Sequence, residues 1–330
     1  MNPQSRREFL LGHQRPDTGV VEATCPVCDS KGARMRHVMP TTGSEQGVSA
    51  QAFRPSAERF GSATGSIVEC RRCGHGFVDQ MPSSVQVSAA YAEAADPVSV
   101  REEEGQIETA RRDLARIEEH FRPGLVCDLG CWTGSFLVAA AERGWRTHGV
   151  EPSAWASTRA RSRHMDVCTA ELNDHDLPAG AHRLVVMTDV LEHLADPRAA
   201  LARVRTLLEP SGGLWLTVPD AGSVLARAMG RRWWSVLPMH LQYFSVSSMT
   251  RLLDEMGFDV MWQGTHAKVF SARYYAERLG GYSTTLDRVA VGAVKLAGQS
   301  DRLVAPDFRD RLAMLTRMRP ASHNGPKAPL

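Results

Sequence analysis

The sequence has no apolar run approaching the roughly 20 residues a membrane-crossing helix needs, and it shows no internal repeat. A helical membrane protein and a solenoid are excluded as readings. Net charge is almost missing: 39 Lys+Arg against 37 Asp+Glu leave +2. Lysine is scarce, so the bases are nearly all arginine, a bias that fits a GC-rich genome. No dense basic stripe with interleaved aromatics occurs, which argues against a nucleic-acid surface. The seven cysteines are an odd number and suit a secreted disulfide framework badly. They point to a reducing, cytoplasmic compartment. Ser5-Arg6-Arg7-Glu8-Phe9-Leu10-Leu11 has the form of a twin-arginine export signal, but Gly12-His13-Gln14-Arg15-Pro16-Asp17 comes next, where such a signal needs an apolar stretch. It reads as a chance match.

What is present is ordinary globular material, 43% hydrophobic and 23% charged, and 330 residues suit a core domain plus an accessory module. Residues 1–85 are turn-rich and hold two Cys-x-x-Cys pairs. Residues 86–123 read as a linker with a charged helix, whose Ile107, Leu114 and Ile117 fall near helical spacing and should pack on the second domain. From 124 to 330 short apolar strands alternate with helical patterns. Leu125–Leu129, His148–Glu151, Asp166–Cys168, Leu184–Met187 and Gly213–Val218 read as strands, with helices at Ser135–Arg143, 153–163 and 197–208. Phe258–Gln263 and Arg311–Arg317 are read as two last strands around a mostly helical insert at about 270–300. This period predicts βαβ units, hence an α/β fold with a doubly wound, mostly parallel seven-stranded sheet.

Cys25-Pro26-Val27-Cys28 and Cys70-Arg71-Arg72-Cys73 are two knuckles, each a tight turn that points two thiolates at one centre. Four soft ligands in a tetrahedron are what zinc takes in a closed structural site, so Cys25, Cys28, Cys70 and Cys73 are expected to hold a structural Zn2+. The 41 residues between the pairs must add strands or loops of their own, and His75 is read as a bystander.

Asp128-Leu129-Gly130-Cys131-Trp132-Thr133-Gly134 stands where the first strand turns into a helix, the end of a parallel sheet at which ligands bind. Gly130 and Gly134 allow close backbone approach. Glu151, seventeen residues after Gly134, closes the second strand and can accept hydrogen bonds from both ribose hydroxyls of an adenosyl ligand. A dinucleotide loop wants Gly-x-Gly-x-x-Gly, and Trp132 occupies the position that must admit a pyrophosphate. A Tyr-x-x-x-Lys pair is also absent, which further weakens a nicotinamide oxidoreductase or epimerase.

Three strings carry a resemblance: Asp128–Gly134, Gly149-Val150-Glu151-Pro152-Ser153, and Leu184–Met187 followed by Asp189-Val190-Leu191-Glu192-His193-Leu194-Ala195-Asp196-Pro197. Together with Gly212–Pro219 they resemble the successive motifs of class I S-adenosylmethionine-dependent methyltransferases, with a Rossmann-like fold. Met239–Ser245 is similar to the subgroup acting on small molecules, and zinc knuckles ahead of this core resemble sugar C-methyltransferases. The resemblance implies S-adenosylmethionine as cofactor. It places Asp128, Gly130, Cys131, Trp132 and Gly134 at the methionine part, Glu151 and Pro152 at the ribose, Ala170 and Glu171 at the adenine, and Thr188 and Asp189 near the sulfonium.

Methyl transfer needs alignment above all. A general base helps if a hydroxyl or an enolisable carbon is the acceptor, and imidazole suits that task. His240 is the first candidate, followed by His193 and Tyr243. Trp233 and Trp234 are candidates for stacking on a substrate, and Arg231 and Arg232 for meeting its phosphate or carboxylate. The expected partner is a small molecule, a sugar nucleotide or secondary-metabolite intermediate, methylated on carbon or oxygen, with an RNA methyltransferase as the alternative. The 270–300 insert is read as a lid or as the contact of a homodimer.

Overall fold

The computed structural model describes residues 20–39, 60–172 and 174–320, so the Arg6-Arg7 segment and the chain beyond Pro320 lie outside it. Strands β1 (Val20–Thr24) and β2 (Lys31–His37) flank the first Cys-x-x-Cys turn, and β3 (Ile67–Cys70) and β4 (Gly76–Val78) flank the second. Two short helices, α1 (Ser84–Ala92) and α2 (Pro97–Val100), lead into α3 (Glu103–Ile117). Next come β5 (Leu125–Leu129), α4 (Ser135–Glu142), β6 (Arg146–Val150), α5 (Ala154–Ser162) and β7 (Val167–Cys168). The chain continues through β8 (His182–Thr188), α6 (Pro197–Leu207), β9 (Leu208–Pro219), α7 (Val224–Met229), β10 (Gln242–Tyr243), α8 (Val246–Glu255) and β11 (Phe258–Thr265). An insert of β12 (Phe270–Ser271), α9 (Ala272–Glu277), α10 (Thr284–Leu296) and β13 (Leu303–Val304) precedes β14 (Arg311–Met318).

The main sheet has seven strands in the order β11-β14-β9-β8-β5-β6-β7. Strands β5 to β9 are parallel, and β14 runs antiparallel between β9 and β11. The α/β fold expected from the sequence is therefore present. Its strand order reverses at β5, which pairs with β6 on one side and β8 on the other, and such a switch opens a crevice at the carboxyl ends. Strand periodicity divides the core in two. Cys127, Leu129, Val185 and Met187 face a cluster shared with α6 and α8, while Val126, Leu184 and Val186 face one shared with α3 and α4. Strands buried on both faces read as continuous apolar runs, which is why they are visible in the sequence.

Helix α3 follows from its residues. Ala110, Leu114 and Ile117 make a buried stripe, Glu103 and Glu104 stand in the first turn and Arg116 in the last, matching the helix dipole. Leu114 and Ile117 are fully covered, in one cluster with Phe136, Ala139 and Ala140 of α4, and each such burial contributes about 1.5–3 kcal/mol. The charged segment before the sheet thus packs on it, as its spacing indicated.

The N-terminal sheet is ordered β1-β2-β3-β4-β10, so its last strand comes from far along the chain. Gln242 pairs with Phe77 and Tyr243 with Gly76. Val27, Val68 and Phe77 share a single core cluster with Leu129, Phe244 and Met249. We propose the divisions near 85 and 123 as divisions of sequence; in space the first unit is sewn into the second.

Gly149 in β6 shows how tightly the layers meet. A Cβ there would lie 2.8 Å from both Cys131 Sγ and Leu137 Cδ1 and 2.9 Å from Val167 Cγ2. Gly149→Ala is expected to destabilise the protein by about 1–3 kcal/mol, the cost of overpacking, measured by denaturant or thermal unfolding.

Candidate functional site

The two Cys-x-x-Cys turns converge. Cys25 and Cys73 Sγ lie 3.6 Å apart and Cys28 and Cys70 Sγ 3.7 Å apart, and the four sulfurs sit within 4.8 Å of one another. A disulfide requires about 2.05 Å, whereas a tetrahedron with Zn–S bonds of about 2.3 Å has edges of about 3.8 Å. The donor set and spacing fit a closed structural zinc. His75 is not part of it: its Nε2 meets Gln242 Oε1 at 2.9 Å, and Gln242 Nε2 donates to Leu194 O at 2.9 Å. Arg198 Nη1 adds a second tie by donating to Val27 O at 2.6 Å.

A cavity of about 1150 Å3 opens at the carboxyl ends of the parallel strands. Gly130, Trp132, Glu151, Pro152 and Glu171 line one part of it, and Thr188 and Asp189 stand at the end of β8. Gly130 has φ +78°, and a Cβ would strike Val190 Cγ2 at 2.7 Å. Trp132 also lies in the left-handed region, with φ +47°, at a cost of about 1–2 kcal/mol. Its backbone N–H donates to Glu151 Oε2 at 2.8 Å and its indole Nε1–H to Ser99 Oγ at 3.0 Å, and the ring tilts against Trp155 at 5.6 Å. Those contacts hold the loop in place. Glu151 Oε1 accepts from Ser153 N at 2.8 Å. Each carboxylate oxygen keeps a lone pair for a ribose hydroxyl. Burial pushes the Glu151 carboxyl up to about 7, the two backbone N–H groups acting against it. Asp128 is pushed up to about 8 by burial and by Glu151. Thr188 Oγ1 is buried without a hydrogen-bond partner among the described residues. A glycine cradle, a carboxylate with spare acceptors and an orphaned hydroxyl fit an adenosyl cofactor.

Asp189, at φ +56°, forms ion pairs with Lys268 and Arg311 and accepts from Thr217 Oγ1 at 3.1 Å. Burial alone would raise its carboxyl, but the two cations more than offset this and hold it well below the usual range. Three residues on, burial and the Asp189 charge push Glu192 up to about 8. His193 Nδ1 meets Met239 O at 3.0 Å and His240 Nδ1 meets Ser235 O at 2.7 Å, with the rings in T-shaped contact at 4.9 Å. Burial lowers His193 to about 4 and His240 well below its usual value, so both rings are neutral.

Several expected residues stand elsewhere. Asp128, Cys131, Gly134 and Ala170 do not line the cavity. The Cys131 thiol packs among Leu137, Ala160 and Val167, and a Cβ on Gly134 would meet Ala160 Cβ at 3.1 Å, so both serve helix packing. Tyr243 is buried in β10 in a cluster with Trp233 and Val236, away from the cavity lining. The catalytic part expected of Tyr243 is not supported, because the strand that carries it belongs to the N-terminal sheet. Trp234 lines the cavity, whereas Trp233 Nε1 donates to Asp310 Oδ2 at 2.8 Å inside the protein. Arg231 and Arg232 are exposed and outside the lining.

Sequence reasoning misses Glu192, Lys268, His266 and Arg311, along with Phe270, Tyr274 and Tyr275 of the insert, all of which line the cavity. Glu192 lies inside the motif that runs from Asp189 to Pro197. Lys268, one of few lysines, flanked by Ala267 and Val269, is a signal in itself. Arg311 gives none.

Two outcomes test this geometry. Elemental analysis should find one zinc per chain; Cys70→Ser should remove it and lower the melting temperature, while Cys168→Ser, at an exposed cysteine outside the cluster, should change neither. Glu151 binds its proton more tightly folded than unfolded, so its contribution to stability is lost as pH rises from about 4.5 through about 7. Urea unfolding over that window should show Glu151→Gln gaining on the wild type as pH rises.

Comparison with known proteins finds similarity over the central part of the chain. Residues 101–263 match a methyltransferase domain family. An uncharacterized 37.1 kDa protein of a Streptomyces fradiae transposon is 36% identical over 112 residues, 31% of this chain and 32% of that protein. The chain thus matches about a third of the length of that relative. Among solved structures, an S-adenosylmethionine-dependent methyltransferase from Archaeoglobus fulgidus is similar at 19% identity and TM-score 0.45, over 67% of this chain and 100% of that one. Magnesium protoporphyrin IX methyltransferase from Synechocystis is similar at 15% identity and TM-score 0.40, over 73% and 86%. Residues 101–263, just under half of the chain, are therefore assigned as a methyltransferase domain.

Proposed function

We propose that the cavity holds S-adenosylmethionine at its Gly130–Glu151 end and methylates, on carbon or oxygen, a small-molecule acceptor such as a sugar nucleotide or a secondary-metabolite intermediate. The observation that carries this is one continuous cavity of about 1150 Å3, which runs from the glycine loop to the rings of the insert. Pockets for one ligand typically measure about 300–1,000 Å3, so this one has room for two. When bound, the cofactor supplies a methyl group on a positively charged sulfur. Glu151 would hold its ribose, Pro152 and Glu171 would border the nucleoside, and Thr188 and Asp189 would stand near the reacting end.

The acceptor end is built from His193, His240, Trp234 and Phe270, Tyr274 and Tyr275. Its apolar rings exclude water and limit the acceptor's orientations, which is the main demand of an in-line displacement. The two imidazoles keep Nε2 available toward the acceptor because Nδ1 is committed to backbone carbonyls. Arg278 stacks over the Phe60 ring at 4.4 Å and lines the same end, where an anionic group of the acceptor would meet it. The near-neutral charge favours such an acceptor over RNA. In the insert, Tyr274 and Tyr275 support a lid, while Leu286, Val289 and Leu296 are exposed on α10 and support a homodimer contact. Four thiols held for zinc support a cytoplasmic location.

Calorimetry with S-adenosylhomocysteine and with NAD tests the reading. The first should bind and the second should not. Glu151→Ala should weaken S-adenosylhomocysteine about 10–100-fold, the loss of hydrogen bonds to a charged acceptor. Binding of NAD without S-adenosylhomocysteine would overturn the reading.

A further inference from the structure

Glu192 occupies a short 3-10 turn, Leu191–His193, that Leu241 N–H pins by donating to Glu192 O at 2.8 Å. The residue is 1% exposed, and both of its carboxylate oxygens are buried without a hydrogen-bond partner among the described residues. Two covered carboxyl oxygens without a partner are an open set of donor atoms facing the cavity. The neighbouring Asp189 already takes Lys268 and Arg311, so those cations are committed. Beside Glu192 stand two imidazoles. A carbonyl only accepts, so the Met239 and Ser235 contacts fix the proton of each neutral ring on Nδ1 and the lone pair on Nε2. Metal-bound histidines are oriented in this manner.

The spacing completes the picture. One donor atom from each of Glu192, His193 and His240 lies within 4.8 Å of the others, and His193 Nε2 is 4.0 Å from Glu192 Oε1. Two bonds of about 2.1 Å span such a gap. All three residues line the cavity. We infer that Glu192, His193 and His240 bind one divalent first-row transition-metal ion, with its remaining positions open to an acceptor oxygen. Two neutral imidazoles and one carboxylate suit ions from Mn2+ to Zn2+ better than Ca2+ or Mg2+. Such an ion would orient the acceptor hydroxyl and lower its pKa, so that a base need not be one of these histidines. The acceptor's part in this inference rests on the methyl-transfer reading; binding of the ion does not.

The test is a titration of the zinc-loaded full chain with Co2+, followed by calorimetry and by visible absorption. One Co2+ should bind beyond the knuckle zinc, with the weak ligand-field bands of nitrogen and oxygen donors and no thiolate charge-transfer band. Glu192→Gln and His240→Asn should each weaken Co2+ at least about 10–100-fold while zinc content stays at one per chain. No Co2+ uptake by the wild type, or equal uptake by both variants, overturns the site. The wild-type titration decides the matter even if a variant fails to fold. S-adenosylhomocysteine binding, measured on the same samples, separates the two readings: cofactor bound without Co2+ overturns the metal site alone, and Co2+ bound without cofactor overturns the methyl-transfer reading alone.

Discussion

The two-residue strand Gln242–Tyr243 is the joint on which the site depends. It pairs with Phe77 and Gly76 of the knuckle sheet. The same segment reaches the cavity side through Gln242 Nε2 to Leu194 O and Leu241 N–H to Glu192 O. His75, two residues after a zinc ligand, is the third link, at 2.9 Å from Gln242 Oε1. The zinc cluster therefore fixes a sheet, the sheet fixes a strand, and the strand fixes the turn that carries Glu192 and His193. The four cysteines lie outside the cavity lining, yet the sheet they tie together positions the turn at one end of it.

The other recurring theme is charge withdrawn from water. Asp128, Glu151 and Glu192 are buried and Asp189 half-buried near the ends of the parallel strands, and they are handled in different ways. Glu151 takes two backbone N–H bonds, Asp189 takes two cations, and Asp128 and Glu192 are pushed toward the protonated form. The left-handed backbone at Trp132 and Asp189 belongs to the same region, as strained residues often do in functional sites.

Much of this is legible in the sequence. The parallel strands announce themselves because both faces are buried, so each is a short apolar run such as Leu184–Met187. The cysteine pairs are legible because zinc demands ligand type and spacing together. Glu151 and Gly130 stand out in the sequence because each closes or follows a parallel strand, and the structure places both at the cavity. Assignments made by motif alone are less informative: within that loop the sequence does not tell Gly130, which borders the cavity, from Gly134, which lets a helix approach Ala160.

The sequence by itself thus determined the fold class and the set of four cysteines, both set by local spacing along short stretches of chain. Only the tertiary structure decided which further residues join His193 and His240 along the cavity. Glu192, His240, Lys268 and Arg311 come from four separate segments, and a burial or an ion pair between them leaves no pattern along the sequence. Tyr243 illustrates the reason: three residues from His240, it sits in the edge strand of the N-terminal sheet and packs with Trp233 and Val236, whereas His240 lines the cavity.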